Sequence, residues 1–143
     1  MQLLRTAETV WSSSRKFFDR WDLSPAQFNL LNLLFESSEG MTQSELGREL
    51  LTHRSNITGL VDRLEERGWV LRQTQTGDRR AWRVVLTSEG RMKVEEVLPA
   101  YYRAAEILWQ GVGVRQAEEV SRILKTVTEN TEKAARNLAQ GLS

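Results

Sequence analysis

One segment restricts the fold more than any other, residues 51–89, which read LTHRSNITGLVDRLEERGWVLRQTQTGDRRAWRVVLTSE. Four apolar residues recur there at helical spacing: Ile57, Leu60, Val61 and Leu64. Gly68 follows them where a helix ends, and two runs of strand-forming residues, 70–74 and 83–86, flank a turn around Gly77 and Asp78. The segment therefore predicts a helix over 54–67, an antiparallel hairpin and a new helix behind it.

The composition excludes several kinds of function. The 143 residues include no cysteine, which rules out disulfides, thiolate nucleophiles and cysteine-based zinc sites. The single histidine, His53, has no partners at metal-ligand spacing, so we expect no metal and no cofactor. Neither a phosphate-binding glycine loop nor a catalytic pair of carboxylates stands out, so we expect no enzyme.

The sequence also carries no pattern for export or membrane insertion. The first residues, MQLLRTAETVW, lack the apolar centre of a signal peptide. No run approaches the roughly 18 apolar residues of a transmembrane helix. Charged residues make up 27% of the chain and hydrophobic residues 40%, as in soluble folded domains. We therefore expect a cytoplasmic protein with no membrane partner.

Five further helices are predicted, at about 2–21, 24–36, 42–50, 87–110 and 114–139. Ser24 with Gln27, and Thr42 with Glu45, have the spacing of capping boxes that open the second and third helices. Thr87 caps the long helix after the hairpin. Pro99 lies inside that helix and should kink it or break it in two.

These elements predict a mainly α fold with a small β-wing, a winged helix-turn-helix plus terminal dimerisation helices. We expect one domain, 1–143, in which 24–89 form the DNA-binding lobe and 1–22 and 90–143 form the dimerisation helices. The terminal helices are amphipathic, and the compact middle is too small to cover their apolar faces. A two-fold dimer is the commonest way to bury such faces.

The helix over 54–67 has a polar face opposite its apolar stripe. That face consists of Arg54, Ser55, Asn56, Thr58, Gly59 and Arg63. Arginine can bond guanine and asparagine can bond adenine in a major groove. A glycine within an exposed helix costs about 1 kcal/mol relative to alanine, which a close approach of DNA would justify. The alternative is the ordinary solvated face of a surface helix.

The turn of the hairpin carries Asp78, Arg79 and Arg80. Arginines at a hairpin tip can enter a minor groove, and Asp78 has the spacing to orient Arg80. Residues 52–83 contain seven arginines and four acidic residues, so the positive charge is concentrated on the segment expected to bind DNA. The alternative is that these charged residues only keep the hairpin tip soluble and do not contact DNA.

Residues 42–90 resemble the MarR family of bacterial winged helix-turn-helix regulators through the motifs TQSELGREL, RSNITGLVDRLEERGWV, GDRR and VVLTSEG. The resemblance implies a homodimer on double-stranded DNA, most often a repressor, with a roughly palindromic operator. It makes Asp78 the wing organiser and Arg80 the minor-groove arginine, whereas Gly59 departs from the basic or polar residue of many relatives. The expected DNA contacts are Thr42, Gln43, Arg54, Ser55, Asn56, Thr58, Gly59, Arg63, Arg79 and Arg80.

The same resemblance implies a crevice that binds a small aromatic acid. The candidate pocket residues are Trp11, Arg15, Phe18, Tyr101 and Tyr102. Arg15 would be the carboxylate partner, and the alternative for each residue is core or dimer packing. Trp69 and Trp82, on either side of the wing, are expected to pack.

A different class of function is a winged helix that contacts proteins and binds no specific DNA. Such a module needs an apolar patch on the recognition helix. The exposed face predicted here is basic and polar, which favours DNA.

Overall fold

The computed structural model describes the backbone of residues 1–50, 54–75 and 78–141, and the side chains of 1–50, 56–74 and 82–138. It contains two compact units, Met1–Pro99 and Ala100–Ser143. The predicted turn at residues 51–53 and the hairpin tip at 76–77 lie outside the described residues.

The chain begins with α1, Gln2–Phe18, a 3₁₀ turn, Asp19–Trp21, and α2, Pro25–Glu36. The capping box that opens α2 is confirmed, because Gln27 N–H donates to Ser24 Oγ and Ser24 N–H donates to Gln27 Oε1. Much of α2 is buried, as its nearly continuous apolar sequence predicts.

The next two helices are α3, Gln43–Glu49, and α4, Arg54–Glu66. The second predicted capping box is also confirmed, with Thr42 and Glu45 bonded to each other at the start of α3. The apolar stripe of α4 is buried as the periodicity predicts: Ile57, Leu60, Val61 and Leu64. These two helices form the helix-turn-helix.

The wing belongs to a three-stranded antiparallel sheet made of β1, Met41–Thr42, β2, Val70–Gln75, and β3, Asp78–Leu86, in the order β1-β3-β2. The sequence prediction missed β1, because two residues carry no alternation. It also began the last strand at Arg83, whereas β3 begins at Asp78 after an irregular register at Thr74 and Gln75.

The remaining helices are α5, Ser88–Leu108, and α6, Val114–Gly141. The predicted cap of α5 is confirmed, since Gly90 N–H donates to Thr87 Oγ1 at 3.0 Å. Helix α5 continues through Pro99, so the alternative of a break there was wrong. Gly111, at φ +82°, lies between the two helices, in the gap that the sequence predicted between 110 and 114.

Every buried hydrophobic side chain in the described part of the chain lies between Phe18 and Val97, within the first unit. The core of that unit joins α2, the stripe of α4 and the wing. Among the described helices, none is long and apolar enough to cross a membrane.

Candidate nucleic-acid interface

The polar face predicted for the recognition helix α4 is present. Asn56, Thr58 and Arg63 are exposed and Gly59 is half-exposed, on the side opposite the buried stripe. Arg54 begins the helix, and the side chains of Arg54 and Ser55 lie outside the described set. The structure therefore brings four of the expected base-contacting residues to one surface.

Helices α3 and α4 are joined by two of the residues expected to contact DNA. Thr58 Oγ1 donates a hydrogen bond to Gln43 Oε1 at 2.9 Å. This bond ties the first turn of α3 to the recognition helix. Gln43 and Thr58 are thus bonded to each other across the two helices.

Thr42, another expected DNA contact, is used by the capping box of α3. Its hydroxyl accepts from Glu45 N–H at 3.2 Å and its N–H donates to Glu45 Oε2 at 2.7 Å. The hydrogen bond from the Thr42 backbone, followed by that from its hydroxyl, lowers the pKa of Glu45 below its ordinary value. The carboxylate is held in its charged form at the start of the helix.

Gly59 has no packing reason to be glycine. A Cβ built there would meet only Arg63 Nη1, at 3.8 Å, which is ordinary van der Waals contact. Its φ does not lie in the left-handed region. The bare backbone therefore serves no neighbour among the described atoms of the chain, and it lies on the exposed face beside Asn56.

The wing residues expected to reach DNA lie at the start of β3. The strand places Asp78, Arg79 and Arg80 next to each other in chain order, and their side chains, like His53, lie outside the described set. Trp82 follows in the same strand and its side chain is 53% exposed. The expectation that Trp82 packs was wrong, because the sheet is too narrow to cover it.

Three arginines of residues 52–83 form hydrogen bonds within the protein: Arg67, Arg72 and Arg83. Arg67 donates to the backbone carbonyl of Asp22 at 2.5 Å and to its Oδ2 at 2.8 Å. Asp22 has a left-handed backbone, φ +53°, which turns that carbonyl toward the arginine. The Arg67 guanidinium also stacks over the ring of Trp69 at 3.8 Å.

Arg72 is the second of these arginines. It bonds Asp62 through Nη2, and it bonds Glu65 through both Nη1 and its backbone N–H. Partial burial lowers the pKa of Arg72, but the hydrogen bonds and charges of the two carboxylates outweigh it and the net shift is upward. Arg72 therefore stays charged and links β2 to α4.

Arg83 is the third. It donates to the carbonyls of Glu39, at 3.1 Å, and Gly40, at 2.7 Å, and lies 3.6 Å from the Glu45 carboxylate. The seven arginines of residues 52–83 therefore overstate the charge available for phosphates. Of the other four, the structure describes only the side chain of Arg63, which is exposed.

Two of the five candidate ligand-pocket residues line one cavity. Trp11 and Arg15 line a cavity of about 630 Å³ beside the start of α2, with Asp22 and Arg67 also in its wall. Arg15 forms no ion pair with any side chain that the structure describes. Sequence reasoning missed Arg67 here, because nothing in its local pattern places the end of α4 beside α1.

Phe18 does not belong to that cavity. Its ring is buried and stacks on Phe28 with centroids 4.7 Å apart, so its role is core packing and its assignment to the pocket is corrected. Tyr101 and Tyr102 lie in the second unit, where their rings contact each other. The described residues contain no group of histidine and acidic side chains that could hold a metal ion.

Comparison with known proteins gives a consistent result. The sequence model of the MarR family matches residues 23–82. The transcriptional repressor MprA of Escherichia coli (strain K12) is 30% identical over 96 residues, covering 67% of this chain and 54% of MprA. The HTH-type transcriptional regulator PrsX of Escherichia coli is 30% identical over 111 residues, covering 76% of this chain and 67% of PrsX. The chain thus spans about half the length of MprA and two thirds of PrsX.

A solved structure agrees with these relatives. CouR from Rhodococcus jostii RHA1, bound to p-coumaroyl-CoA, superposes with a TM-score of 0.82 at 27% identity over 88% of each chain. The similarity therefore extends beyond the matched segment to most of the fold. The curated relatives are named as transcriptional regulators and not as enzymes.

Proposed function

We propose, from the premise that the chain belongs to the MarR family, that it is a homodimeric, sequence-specific DNA-binding transcriptional regulator and acts as a repressor. The observation that carries the proposal is the exposed face of α4. There Asn56, Gly59 and Arg63 form a polar surface on a helix anchored by its buried stripe. Such a surface suits base edges and phosphates in a major groove.

The wing would supply the second contact. Arg80 would enter the minor groove next to the recognition helix, with Asp78 orienting it and Arg79 on a phosphate. Thr42 and Gln43 would lie beside the backbone of the same duplex, at the start of α3. A regulator that binds chromosomal DNA would work in the cytoplasm.

The dimer would use the terminal helices. Helix α6 has a row of apolar side chains that are 39–52% exposed: Val120, Ile123, Leu124 and Val127. Helix α1 exposes Leu3, Leu4 and Val10. A second copy with two-fold symmetry would bury such faces and present two recognition helices to half-sites about one helical turn apart.

The ligand would be a small aromatic acid in the cavity beside α2. Trp11 supplies a ring and Arg15 a guanidinium without an ion pair among the described side chains. The p-coumaroyl-CoA bound to CouR carries an aromatic ring, which supports the aromatic part of this ligand. Titration calorimetry with salicylate-like acids should give heat with wild type and none with Arg15→Ala, and no heat with wild type would contradict the ligand.

The test of DNA binding is fluorescence anisotropy with the DNA upstream of the protein's own gene, over a salt series and against scrambled DNA. We expect tight binding that salt weakens. Arg80→Ala should weaken it and flatten the salt dependence, whereas Arg115→Ala, an exposed arginine of α6, should leave it unchanged. If the protein binds this DNA no more tightly than scrambled DNA, the measurement is repeated with operators selected from the whole genome. Equal affinity there too would contradict the proposal.

The exposed Trp82 favours a second candidate, a winged helix that binds a protein partner instead of specific DNA. Under that function, Trp82→Ser would abolish binding of the protein partner. Asn56→Ala would not change the affinity of the protein for DNA. Under the DNA-binding function, Asn56→Ala would weaken operator binding.

A further inference from the structure

The free edge of the wing is bonded to the recognition helix α4 at Arg72. Strand β2 lies at the edge of the sheet, so it has backbone groups with no neighbouring strand. Glu65 of α4 accepts the backbone N–H of Arg72 at 3.0 Å with Oε1, and its Oε2 accepts from Arg72 Nη1. One carboxylate therefore holds both the main chain and the side chain of Arg72.

Asp62 completes this arrangement. It lies three residues before Glu65, on the same side of α4, and accepts from Arg72 Nη2. The Arg72 side chain is 23% exposed, so the guanidinium is partly shielded from water. Two guanidinium donors and one backbone N–H of Arg72 bond the two carboxylates. We call Arg72, Asp62 and Glu65 the helix–wing clamp.

The position of the clamp along β2 matters. A short turn at residues 67–69 and the buried Val70 hold the base of the wing against α4. Toward the tip, Arg72 is the last residue of β2 for which the described side chains show a bond to α4. Beyond it, Gln73 and Thr74 are exposed, and the strand leads to the tip that carries Arg79 and Arg80.

We propose that Arg72 is a positioning residue for DNA binding, which fixes the wing relative to α4 so that helix and wing enter neighbouring grooves of one duplex. This inference rests on the proposed function. Rigid placement of contact groups avoids ordering them at the moment of binding, so affinity falls when the placement is lost. Arg72 itself contacts no DNA in this scheme.

The clamp is first tested without DNA. The chain has no cysteine, so spin labels at Glu66→Cys on α4 and Thr74→Cys on β2 are free of interference. Both positions are exposed. The distance distribution between the labels should be narrow with Arg72 and clearly broader with Arg72→Ala. Arg72→Lys should give an intermediate width, since an ammonium cannot bond two carboxylates as a planar fork. Equal widths would overturn the proposal.

The second test separates positioning from charge. Removing Arg72 also leaves Asp62 and Glu65 unpaired near the phosphates, where they would repel DNA. We expect Arg72→Ala to weaken operator binding by about tenfold or more. The triple variant Arg72→Ala, Asp62→Asn, Glu65→Gln should stay within about threefold of the single variant, because neutral side chains do not rebuild the clamp. Recovery of wild-type affinity by the triple variant would show a charge effect alone and would overturn the proposal.

Footprinting provides the direct signature. With Arg72→Ala, hydroxyl-radical protection of the minor groove should be lost while methylation protection of the major groove remains. Arg122→Ala removes a surface ion pair with Glu119 in the other unit, and it should leave the footprint intact. Thermal melting of each variant verifies that it is folded. A wild-type protein that binds no operator would overturn both this inference and the proposed function, whereas a wild-type footprint with Arg72→Ala would overturn this inference alone.

Discussion

Two helices of this chain carry the same apolar spacing in opposite surroundings. In α4 the four positions are at most 6% exposed: Ile57, Leu60, Val61 and Leu64. In α6 the four positions are 39–52% exposed: Val120, Ile123, Leu124 and Val127. The spacing is i, i+3, i+4 and i+7 in both. An apolar stripe therefore specifies which face of a helix needs cover, and the rest of the chain decides whether cover is available.

The difference extends to the two units. The unit Met1–Pro99 has its own core, and α2, α3 and β2 all contact α4. In the unit Ala100–Ser143, no side chain that the structure describes is buried. The first unit has the properties of a self-contained lobe, whereas the second needs a partner surface, for which we have proposed a second copy.

The largest expected effect comes from the same substitution in the apolar stripe of each helix. Leu64→Ala should lower the free energy of unfolding by about 2–5 kcal/mol, because a fully buried leucine leaves a cavity. Leu124→Ala should cost less and should weaken the dimer. Urea unfolding at two protein concentrations separates them, since only the Leu124 effect should depend on concentration. A large, concentration-independent loss for Leu124→Ala would mean that α6 is covered within its own chain.

The next effect concerns glycines of the two units. A Cβ at Gly90 would overlap the backbone carbonyl of Trp69, so Gly90→Ala should destabilise the lobe by about 1–3 kcal/mol. At Gly113 the nearest atom is the flexible end of Gln116, at 3.3 Å, and Gly113→Ala should cost less than about 1 kcal/mol. Melting temperatures of the two variants check the order, and a reversed order would contradict the close contact at Gly90.

A smaller effect on stability should have opposite signs for alanine substitutions at Gly59 and Gly68. Gly59→Ala should stabilise the protein by about 0.5–1 kcal/mol, because alanine favours the helix and no neighbour interferes. Gly68→Ala should destabilise it by about 1 kcal/mol, since φ is +71° there. Operator affinity should fall for Gly59→Ala despite the added stability. If the operator affinity of Gly59→Ala equals that of wild type, a close approach of DNA to Gly59 is contradicted.

The smallest effect depends on pH. Glu45 has a folded-state pKa below its unfolded value, so its hydrogen bonds contribute stability above the unfolded pKa, near 4.5, and lose it as the pH falls through the folded value. Urea midpoints at pH 7 and at pH 3 should therefore differ more for wild type than for Glu45→Gln. Glu129→Gln, which changes an exposed side chain of α6, is the control that should match wild type.

The sequence was a good guide wherever structure depends on neighbours along the chain. Both capping boxes and the Thr87 cap could be predicted because their partners lie three residues away along the chain. Strand β1 could not, since its two residues become a strand only by pairing with Val84 and Arg83.

The position of the candidate DNA-binding face could be predicted from the sequence, but the pairing of its arginines with other residues could not. The polar face of α4 follows from periodicity, whereas the pairing of Arg67 with Asp22 joins residues 45 positions apart. The same holds for Arg83 and Gly40, which are 43 positions apart. Counting arginines along the chain treats all of them as free, because the sequence contains no record of which ones meet an acid or a carbonyl after folding.

The internal use of Arg67, Arg72 and Arg83 has a consequence for how such a protein would search a chromosome. Non-specific attraction to DNA grows with the number of free cations, and this attraction sets how long a protein stays at a wrong sequence. With three guanidiniums bonded inside the protein, residence on unrelated DNA should be shorter than the number of arginines in the segment predicts. The protein would then discriminate among sites by leaving the wrong ones quickly, as much as by holding the right one tightly.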